Sequence, residues 1–376
     1  MEPQLQPQSR LVSIDLVRVF AMALMVQGHT LDVLLTPQVQ SASWYNFWLF
    51  CRGFTAPVFM SLAGFSFALA TIKRFEEHTS LGSPVWKRLR RFGFFVLLGY
   101  SMRFPVHSVR DFKWIGEDGW RAFLQFDVLQ TIGLTLIALE LLILALKSKR
   151  RFAITAALLG LTIAFTAPLA WNSGLLNSLP LVLRSALIGT AGSPFPLLPW
   201  SAYIFVGAAL GTAYATVGKW SPRVLQYAIP FGVALLTTGV WLENTSRAVY
   251  GEANFWPTTP HLFLTRVGFV TALVGLASAA ERFVPIKAST ARSLAEESLV
   301  VYFVHVALLY GSMWNVGLKQ YVGGTMTFAH AYPFVLALIA VMLFMAYHWN
   351  RAKKFYPTPS FAFRSLLFAV AAYAVV

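Results

Sequence analysis

The first hydrophobic segment reads SIDLVRVFAMALMVQGH over residues 13–29, and the rest of the chain is best interpreted from it. Asp15, Arg18 and His29 interrupt an otherwise apolar run. Arg18 and His29 are about three helical turns apart, so they share a face at a separation of roughly 16 Å. Ionisable groups are expensive in lipid and usually face a protein interior or a water-filled cavity. One helical face therefore carries polar groups from the membrane edge past its middle, which suits chemistry conducted across a bilayer.

The composition is that of a polytopic membrane protein. Of 376 residues, 57% are hydrophobic and 12% are charged, whereas soluble domains carry about 25% charged residues. We do not expect the first segment to be a cleavable signal peptide, because it contains charges and is long enough to span. The single cysteine, Cys51, excludes a disulfide framework and a cysteine-rich metal site, and we predict no metal.

The hydropathy pattern predicts an all-α protein of ten or eleven transmembrane helices around a polar central cavity. Residues 1–376 form one predicted transmembrane domain, in which 1–10 are a cytoplasmic tail and 361–376 are either a short span or a surface helix. The predicted spans begin near Ile14, Phe47, Phe92, Leu124, Phe152, Leu198, Leu225, His261, Ser298, Pro333 and Phe361.

The distribution of basic residues predicts the orientation. With a cytoplasmic N-terminus, 21 of the 30 Lys and Arg residues fall inside and seven outside. Cytoplasmic loops carry such an excess in membrane proteins. The net charge of +15 is therefore mainly topological. Its expected partner is anionic membrane lipid rather than nucleic acid.

Three outside segments, 102–121, 171–199 and 243–260, are long enough to build a surface. The first and third mix aromatic rings with carboxylates, and the third adds amides. Rings stack on sugar faces and polar groups bind hydroxyls, so carbohydrate recognition is one interpretation. The alternative is the ordinary enrichment of Trp and Tyr at membrane interfaces.

His29 is the first candidate for chemistry. It lies past the bilayer middle toward the outer face, and imidazole can take or give a proton near neutral pH. Asp32 follows one turn later and is a candidate orienter of the ring. The competing interpretation is a histidine that only hydrogen-bonds a neighbouring helix.

A basic cluster, WKRLRR over 86–91, opens the third predicted span. Arg88 and Arg91 are three positions apart and share a helical face. Two guanidinium groups at that spacing can hold phosphates. On sequence physics alone, an ordinary positive-inside anchor is the favoured explanation of the cluster. Further polar groups in hydrophobic context include Arg52, Asp127, Gln130, Glu140, Arg266 and His305; each alone suits a structural pair, and together they indicate a polar interior.

Several segments resemble, in chain order, the bacterial relatives of the heparan-α-glucosaminide N-acetyltransferase family. The pairs Arg18 with His29 and Arg88 with Arg91 also resemble the R-x10-H and R-x-x-R elements of the acyltransferase-3 family. The other matching pieces are SIDLVR at 13–18, FTAPVFMSLAG at 54–64, FDVLQTIG at 126–133, FPLLPW at 195–200 with Gly207 and Gly211, and SLVVYFVH at 298–305.

The resemblance implies an acyl-CoA-dependent O- or N-acyltransferase of the bacterial inner membrane. It would move an acyl group, usually acetyl, from cytoplasmic acetyl-CoA to an extracytoplasmic sugar or glycan. In this hypothesis His29 deprotonates the acceptor or accepts the acyl group itself. The predicted site residues are catalytic His29, Asp32 and Asp127, cofactor-binding Arg18, Arg88 and Arg91, and substrate-binding Arg52, Arg266 and His305.

A secondary transporter, exporter or flippase for a small polar or glycan-related substrate is the alternative, because polar spans suit alternating access equally well. Matching discontinuous helices in the two halves would favour it. The sequence leaves the acceptor, the acyl length and assembly into a homodimer open.

Overall fold

A computed structural model describes residues 11–106, 108–217, 222–252, 255–281, 283 and 287–359. Nearly all of the described chain is helical. The helices are α1 (Val12–Leu34), α2 (Pro37–Gln40), α3 (Ser43–Arg52), α4 (Thr55–Ile72), α5 (Ser83–Met102), α6 (Glu117–Leu124), α7 (Val128–Leu146), α8 (Lys149–Asn172), α9 (Leu181–Leu187), α10 (Leu197–Thr216), α11 (Pro222–Gln226), α12 (Ala228–Trp241), α13 (Glu243–Tyr250), α14 (Phe255–Thr258), α15 (Pro260–Ala280), α16 (Ala288–Glu296), α17 (Ser298–Tyr310), α18 (Leu318–Val322) and α19 (Phe328–Phe355). Short 3-10 helices span Phe75–His78, Val109–Trp114, Leu175–Ser178 and Gly189–Ala191, and β1 (Gly311–Ser312) pairs antiparallel with β2 (Asn315–Val316).

Within the described ranges, eight segments are long and apolar enough to cross a membrane. They are Val12–Leu34, Ser43–Ile72, Val128–Leu146, Lys149–Asn172, Leu197–Thr216, Arg223–Trp241, Pro260–Ala280 and Phe328–Phe355. Helices α16 and α17 together form a ninth candidate, bent by 52°. Helix α5 has the length of a span but carries four basic residues in its first half.

The prediction of an all-α polytopic membrane protein is confirmed. The described residues supply eight candidate spans, or nine with the bent pair, and the number of ten stays a prediction. The predicted eleventh, 361–376, and the tail 1–10 lie outside the described residues. The polar central cavity stays a prediction.

The chain divides into two compact units. The first unit takes its described residues from Met1–Val17, Ala56–Gly99 and Gln125–Pro285, and the second takes them from Arg18–Thr55, Tyr100–Leu124 and Ile286–Val376. The boundary falls inside α1, one turn after Ile14, so the polar face predicted from residues 13–29 is shared between the units.

In the first unit, local sequence signals set the ends of helices and small residues set their packing. The carboxylate of Asp127 caps α7, and the side chain of Gln130 reaches back to the backbone N–H of Asp127 at 3.3 Å. This capping box moves the start of the span from the predicted Leu124 to Val128. Helices α4 and α10 approach so closely that a Cβ on Gly64 would lie 1.9 Å from the Ile204 carbonyl oxygen, so only glycine fits there.

In the second unit, the end of α1 is tied to the segment before α19. The backbone N–H groups of Gly324 and Met326 donate to the carbonyls of Val33 and Leu34, each at 2.9 Å. An apolar cluster closes the same region, with Leu31, Leu35, Leu309, Ala331 and Val335 fully buried. This packing joins the C-terminal half of α1 to α17 and α19, although His29 of α1 and His305 of α17 are 276 positions apart along the chain.

Candidate active site

Two histidines of the second unit meet where α1 packs against α17. Nδ1 of His29 lies 2.9 Å from Nε2 of His305. The ring planes differ by 7° and the ring centroids are 5.1 Å apart. Because the nitrogens are far closer than the centroids, the nearly coplanar rings meet edge to edge. This is hydrogen-bond geometry rather than face-to-face stacking.

The hydrogen-bond chain defines which nitrogens carry protons. Nδ1 of His305 lies 2.6 Å from the Val301 carbonyl oxygen, which can only accept. Nδ1 of His305 therefore donates, and Nε2 of the neutral ring is an acceptor. It follows that Nδ1–H of His29 donates to His305, and that Nε2 of His29 carries a lone pair. The structure describes no hydrogen bond at that Nε2, and the His29 side chain is only half-buried.

A second polar group lies one turn after His29. Arg52 forms a two-pronged ion pair with the carboxylate of Asp32, and the Tyr45 hydroxyl donates to the same carboxylate at 3.1 Å. Gly28 makes room for this arrangement, because a Cβ there would come within 2.9 Å of Nε of Arg52. The described side-chain contacts of Asp32 are thus with Arg52 and Tyr45, whereas the ring of His29 contacts His305.

An open pocket of roughly 370 Å³ adjoins this group. Asp32, Gln40 and Lys319 line it, together with the backbone of Gly323 and Gly324. Nε2 of Gln40 donates to two carbonyls at the end of α1, at 3.1 and 3.3 Å, which fixes the side chain in place. The pocket therefore offers a carboxylate, an amide oxygen and an ammonium group to a polar ligand.

The basic cluster of α5 belongs to the first unit and divides into buried and exposed members. Arg88 donates to Thr71 at 2.7 Å and to Glu140 at 3.2 Å, and its guanidinium lies over the Phe67 ring. The second oxygen of Glu140, itself fully buried, lies 2.5 Å from Nδ1 of His78. Burial in mutual contact satisfies all three charged or polar groups.

Arg91, the other predicted phosphate ligand, is exposed, as are Lys87 and Arg90. Arg88 keeps 20% of its side chain exposed. The two arginines of the R-x-x-R element thus share a helical face but differ in environment. Arg18, on α1 of the second unit, is half-buried.

The remaining predicted residues lie in the first unit. Asp127 is the N-cap of α7. The guanidinium of Arg266 lies 5.7 Å from the centroid of the Trp200 ring and interacts with the buried Tyr203. His29, Asp32, Arg52 and His305 are thus brought together in one unit, and Arg88, Asp127 and Arg266 are in the other.

Some charges in the predicted outside segments are paired within those segments. Arg121 binds Glu117 at 2.5 Å, and Arg247 binds Glu243 and Glu252 at 2.9 and 2.6 Å. Hydrogen bonding to Glu117 raises the pKa of Arg121. These pairs are exposed, so they contribute little to stability. The prediction of carbohydrate recognition by these loops stays a prediction.

Sequence reasoning missed Tyr45 and His78 as members of polar groups. Both lie in or beside short helical segments, where no periodicity marks a buried polar position. His29 and Asp32 were found because they interrupt an apolar span. Among the described residues, no group of three or more His, Cys, Asp or Glu side chains could hold a metal ion.

Comparison with known proteins identifies the family. The model of the heparan-alpha-glucosaminide N-acetyltransferase catalytic domain matches residues 10–239, more than half of the chain. No curated protein and no solved structure gives a significant match. The match includes His29, Arg88 and Asp127 and ends before His305. The likeness to the acyltransferase-3 family stays a resemblance. This multi-pass membrane protein therefore belongs to the heparan-α-glucosaminide N-acetyltransferase catalytic family.

Proposed function

We propose that this protein carries an acetyl group from cytoplasmic acetyl-CoA to a sugar outside the bacterial cytoplasmic membrane, with His29 as the reacting side chain. The observation that carries the proposal is the unpaired Nε2 of His29, held on a half-buried ring by a hydrogen bond at Nδ1. Family membership supplies the reaction class. The excess of basic residues in alternate loops supports a cytoplasmic N-terminus, which puts His29 toward the outer face.

The unpaired nitrogen suits general base catalysis. As the acceptor oxygen or nitrogen bonds to the acetyl carbonyl carbon, its proton passes to Nε2 of His29. The carbon–sulfur bond of the thioester then breaks, and the CoA sulfur takes the proton back from the imidazolium. Such a base contributes about 10²- to 10⁴-fold to a rate. The alternative, transient acylation of Nε2, needs the same bare nitrogen.

The donor phosphates are assigned to the cytoplasmic start of α5. Arg91 is exposed there and can meet a phosphate directly. Arg88 is held from behind by Glu140, and its remaining exposed edge can make a second contact. Arg18, half-buried on α1, is assigned to binding of the CoA donor.

The acceptor is assigned to the pocket beside Asp32. Hydroxyl and amine groups of a sugar can bond to its carboxylate, the Gln40 amide oxygen and the Lys319 ammonium. Two of the lining residues, Asp32 and Val33, follow His29 by about one turn on α1, which places the pocket at the same end of this helix as the reacting side chain.

A secondary transporter is the less well supported function. That class predicts discontinuous helices at corresponding positions of two halves. Among the described residues one helix pair, α16 with α17, is bent by more than 40°. A single bend without a counterpart, together with the family match, favours the transferase.

The direct test measures on which side of the membrane the donor is used and on which side the product appears. Purified protein is reconstituted into proteoliposomes, vesicles with a defined orientation are selected, and labelled acetyl-CoA is supplied on the side of the N-terminus. Amino sugars and neutral sugars are enclosed separately in the lumen. We expect labelled product inside the vesicles for wild type and almost none for His29→Ala. Near-normal turnover in His29→Ala, or product only on the CoA side, contradicts the proposal.

A further inference from the structure

We propose that His305 is a positioning residue, which holds His29 in the reactive tautomer and stabilises the imidazolium formed during acyl transfer. The inference rests on the proposed function of His29 and deepens it, since the sequence predicted a substrate contact for His305. It is carried by the edge-to-edge geometry of the two rings and by the anchoring of His305 to Val301.

Burial separates the roles of the two histidines. His305 has no exposed surface, and each of its ring nitrogens faces a protein partner, Val301 or His29. No nitrogen of His305 is left for an acceptor or a thioester. His29 keeps some exposed surface, and one of its ring nitrogens is described without a partner. Only His29 can therefore touch reacting atoms, and His305 must act through it.

The anchor makes the pair asymmetric. If His29 carried its proton on Nε2 instead, two lone pairs would face each other across 2.9 Å. Relief would require His305 to move its own proton and abandon the Val301 carbonyl, which leaves a buried acceptor with one partner fewer. The Tyr302 ring lies beside His305 in a T-shaped arrangement, with the ring centroids 6.0 Å apart. The anchoring of His305 on α17 thus favours the reactive tautomer of His29.

The same contact stabilises the charged intermediate. When Nε2 of His29 takes the acceptor proton, Nδ1–H becomes a charged donor, and its bond to Nε2 of His305 strengthens. A carboxylate does this for histidine in the catalytic triad of serine proteases. Within a membrane span a neutral imidazole avoids burying a permanent charge. The proton stays on His29 and is available to the leaving sulfur.

Substitution of His305 by Leu and by Gln tests the inference. In His305→Leu the Nδ1–H of His29 loses its acceptor, and we expect kcat to fall about a hundredfold with KM for both substrates changed less than about twofold. In His305→Gln the amide oxygen can accept the same proton, and we expect kcat to recover to within about tenfold of wild type. Leu308→Ala is the control, because Leu308 is an exposed position on the same helix, and it should keep kcat.

A spectroscopic measurement keeps the inference testable if His305→Leu does not fold. Histidine ¹⁵N NMR of the wild type, assigned with His29→Gln, should show His29 protonated at Nδ1 and bare at Nε2. The opposite tautomer overturns the inference, as does unchanged kcat in His305→Leu. Loss of activity in His29→Gln with full activity in His305→Leu would overturn this inference alone, whereas full activity in both variants would overturn the proposed function as well.

Discussion

Two buried polar groups each contain a histidine, and they differ in what they leave unpaired. In the group of Arg88, Glu140 and His78, a fully buried carboxylate bonds an arginine on one side and a histidine on the other. In the pair of His29 and His305, neutral rings form a chain that ends in a free nitrogen on a half-buried side chain. The charges of the first group are balanced within the group, whereas the second group keeps one nitrogen that can accept a proton.

The difference shows that charge in an apolar segment is a weak guide to chemistry. Arg88 was a candidate phosphate ligand because it belongs to a strongly basic run, yet its guanidinium already donates hydrogen bonds to Thr71 and Glu140. His29 is neutral in the hydrogen-bond chain, and its Nε2 has no described hydrogen-bond partner. A group can react when its neighbours leave one of its polar atoms without a hydrogen-bond partner. Substitutions in each of the two groups test this rule.

The largest effect is expected for His29→Gln. The amide cannot accept and return a proton, so acetyl transfer should fall about a thousandfold, with the thermal midpoint nearly unchanged. Labelled acetyl transfer in detergent measures the effect. His330→Gln is the matched control, because His330 is exposed at the start of α19 and should keep wild-type activity. A His29→Gln enzyme that keeps half of its activity would remove the contrast between the two groups.

Glu140→Leu should instead act on stability. It leaves Arg88 and His78 buried without their carboxylate, and loss of one partner of a buried pair costs about 3–5 kcal/mol. The unfolding midpoint in detergent measures the loss. Glu77→Leu, at an exposed carboxylate nearby, should change the midpoint little. Adding Arg88→Leu to Glu140→Leu should recover part of the loss, and a stable Glu140→Leu protein would show that the group is not internally compensated.

Gly28→Ala tests the support beside His29. The new Cβ would contact Arg52 at 2.9 Å and push it from Asp32. A charge-assisted bond at a partly buried site contributes about 1.5–3 kcal/mol, so a partial loss should raise KM for the acceptor about tenfold. Gly93→Ala is the control, since a Cβ there meets nothing within 4 Å. Equal kinetics of the two variants would show that the pair of Arg52 and Asp32 does not shape the pocket.

Arg91→Gln should give the smallest effect. An exposed charge contact is worth about 0.2–1 kcal/mol, which corresponds to a rise of up to about fivefold in KM for acetyl-CoA. Arg90→Gln, one position away and equally exposed, should leave that KM unchanged. Identical values for both variants would favour a simple positive-inside anchor over a phosphate site.

Much of the fold could be predicted from the sequence, because hydropathy and caps act locally. Long apolar runs predicted the spans, and the start of α7 could have been refined from the capping residues Asp127 and Gln130. The bend between α16 and α17 was not predicted, because it lies at Glu297, just before the predicted start of the span near Ser298. The sequence predicted which helices carry polar side chains, but it did not predict which other side chains those residues contact.

The sequence alone determined that this is a helical membrane protein and that polar side chains lie within its spans, because the cost of placing each residue in lipid depends on that residue and its near neighbours. Only the tertiary structure decided which of those side chains meet. His29 and His305 are 276 positions apart, and Arg88 and Glu140 are 52 apart. Long-range helix packing brings each set together, and no local pattern records it. Whether a polar side chain has a hydrogen-bond partner depends on its neighbours, so helix packing decides which side chain is free to react.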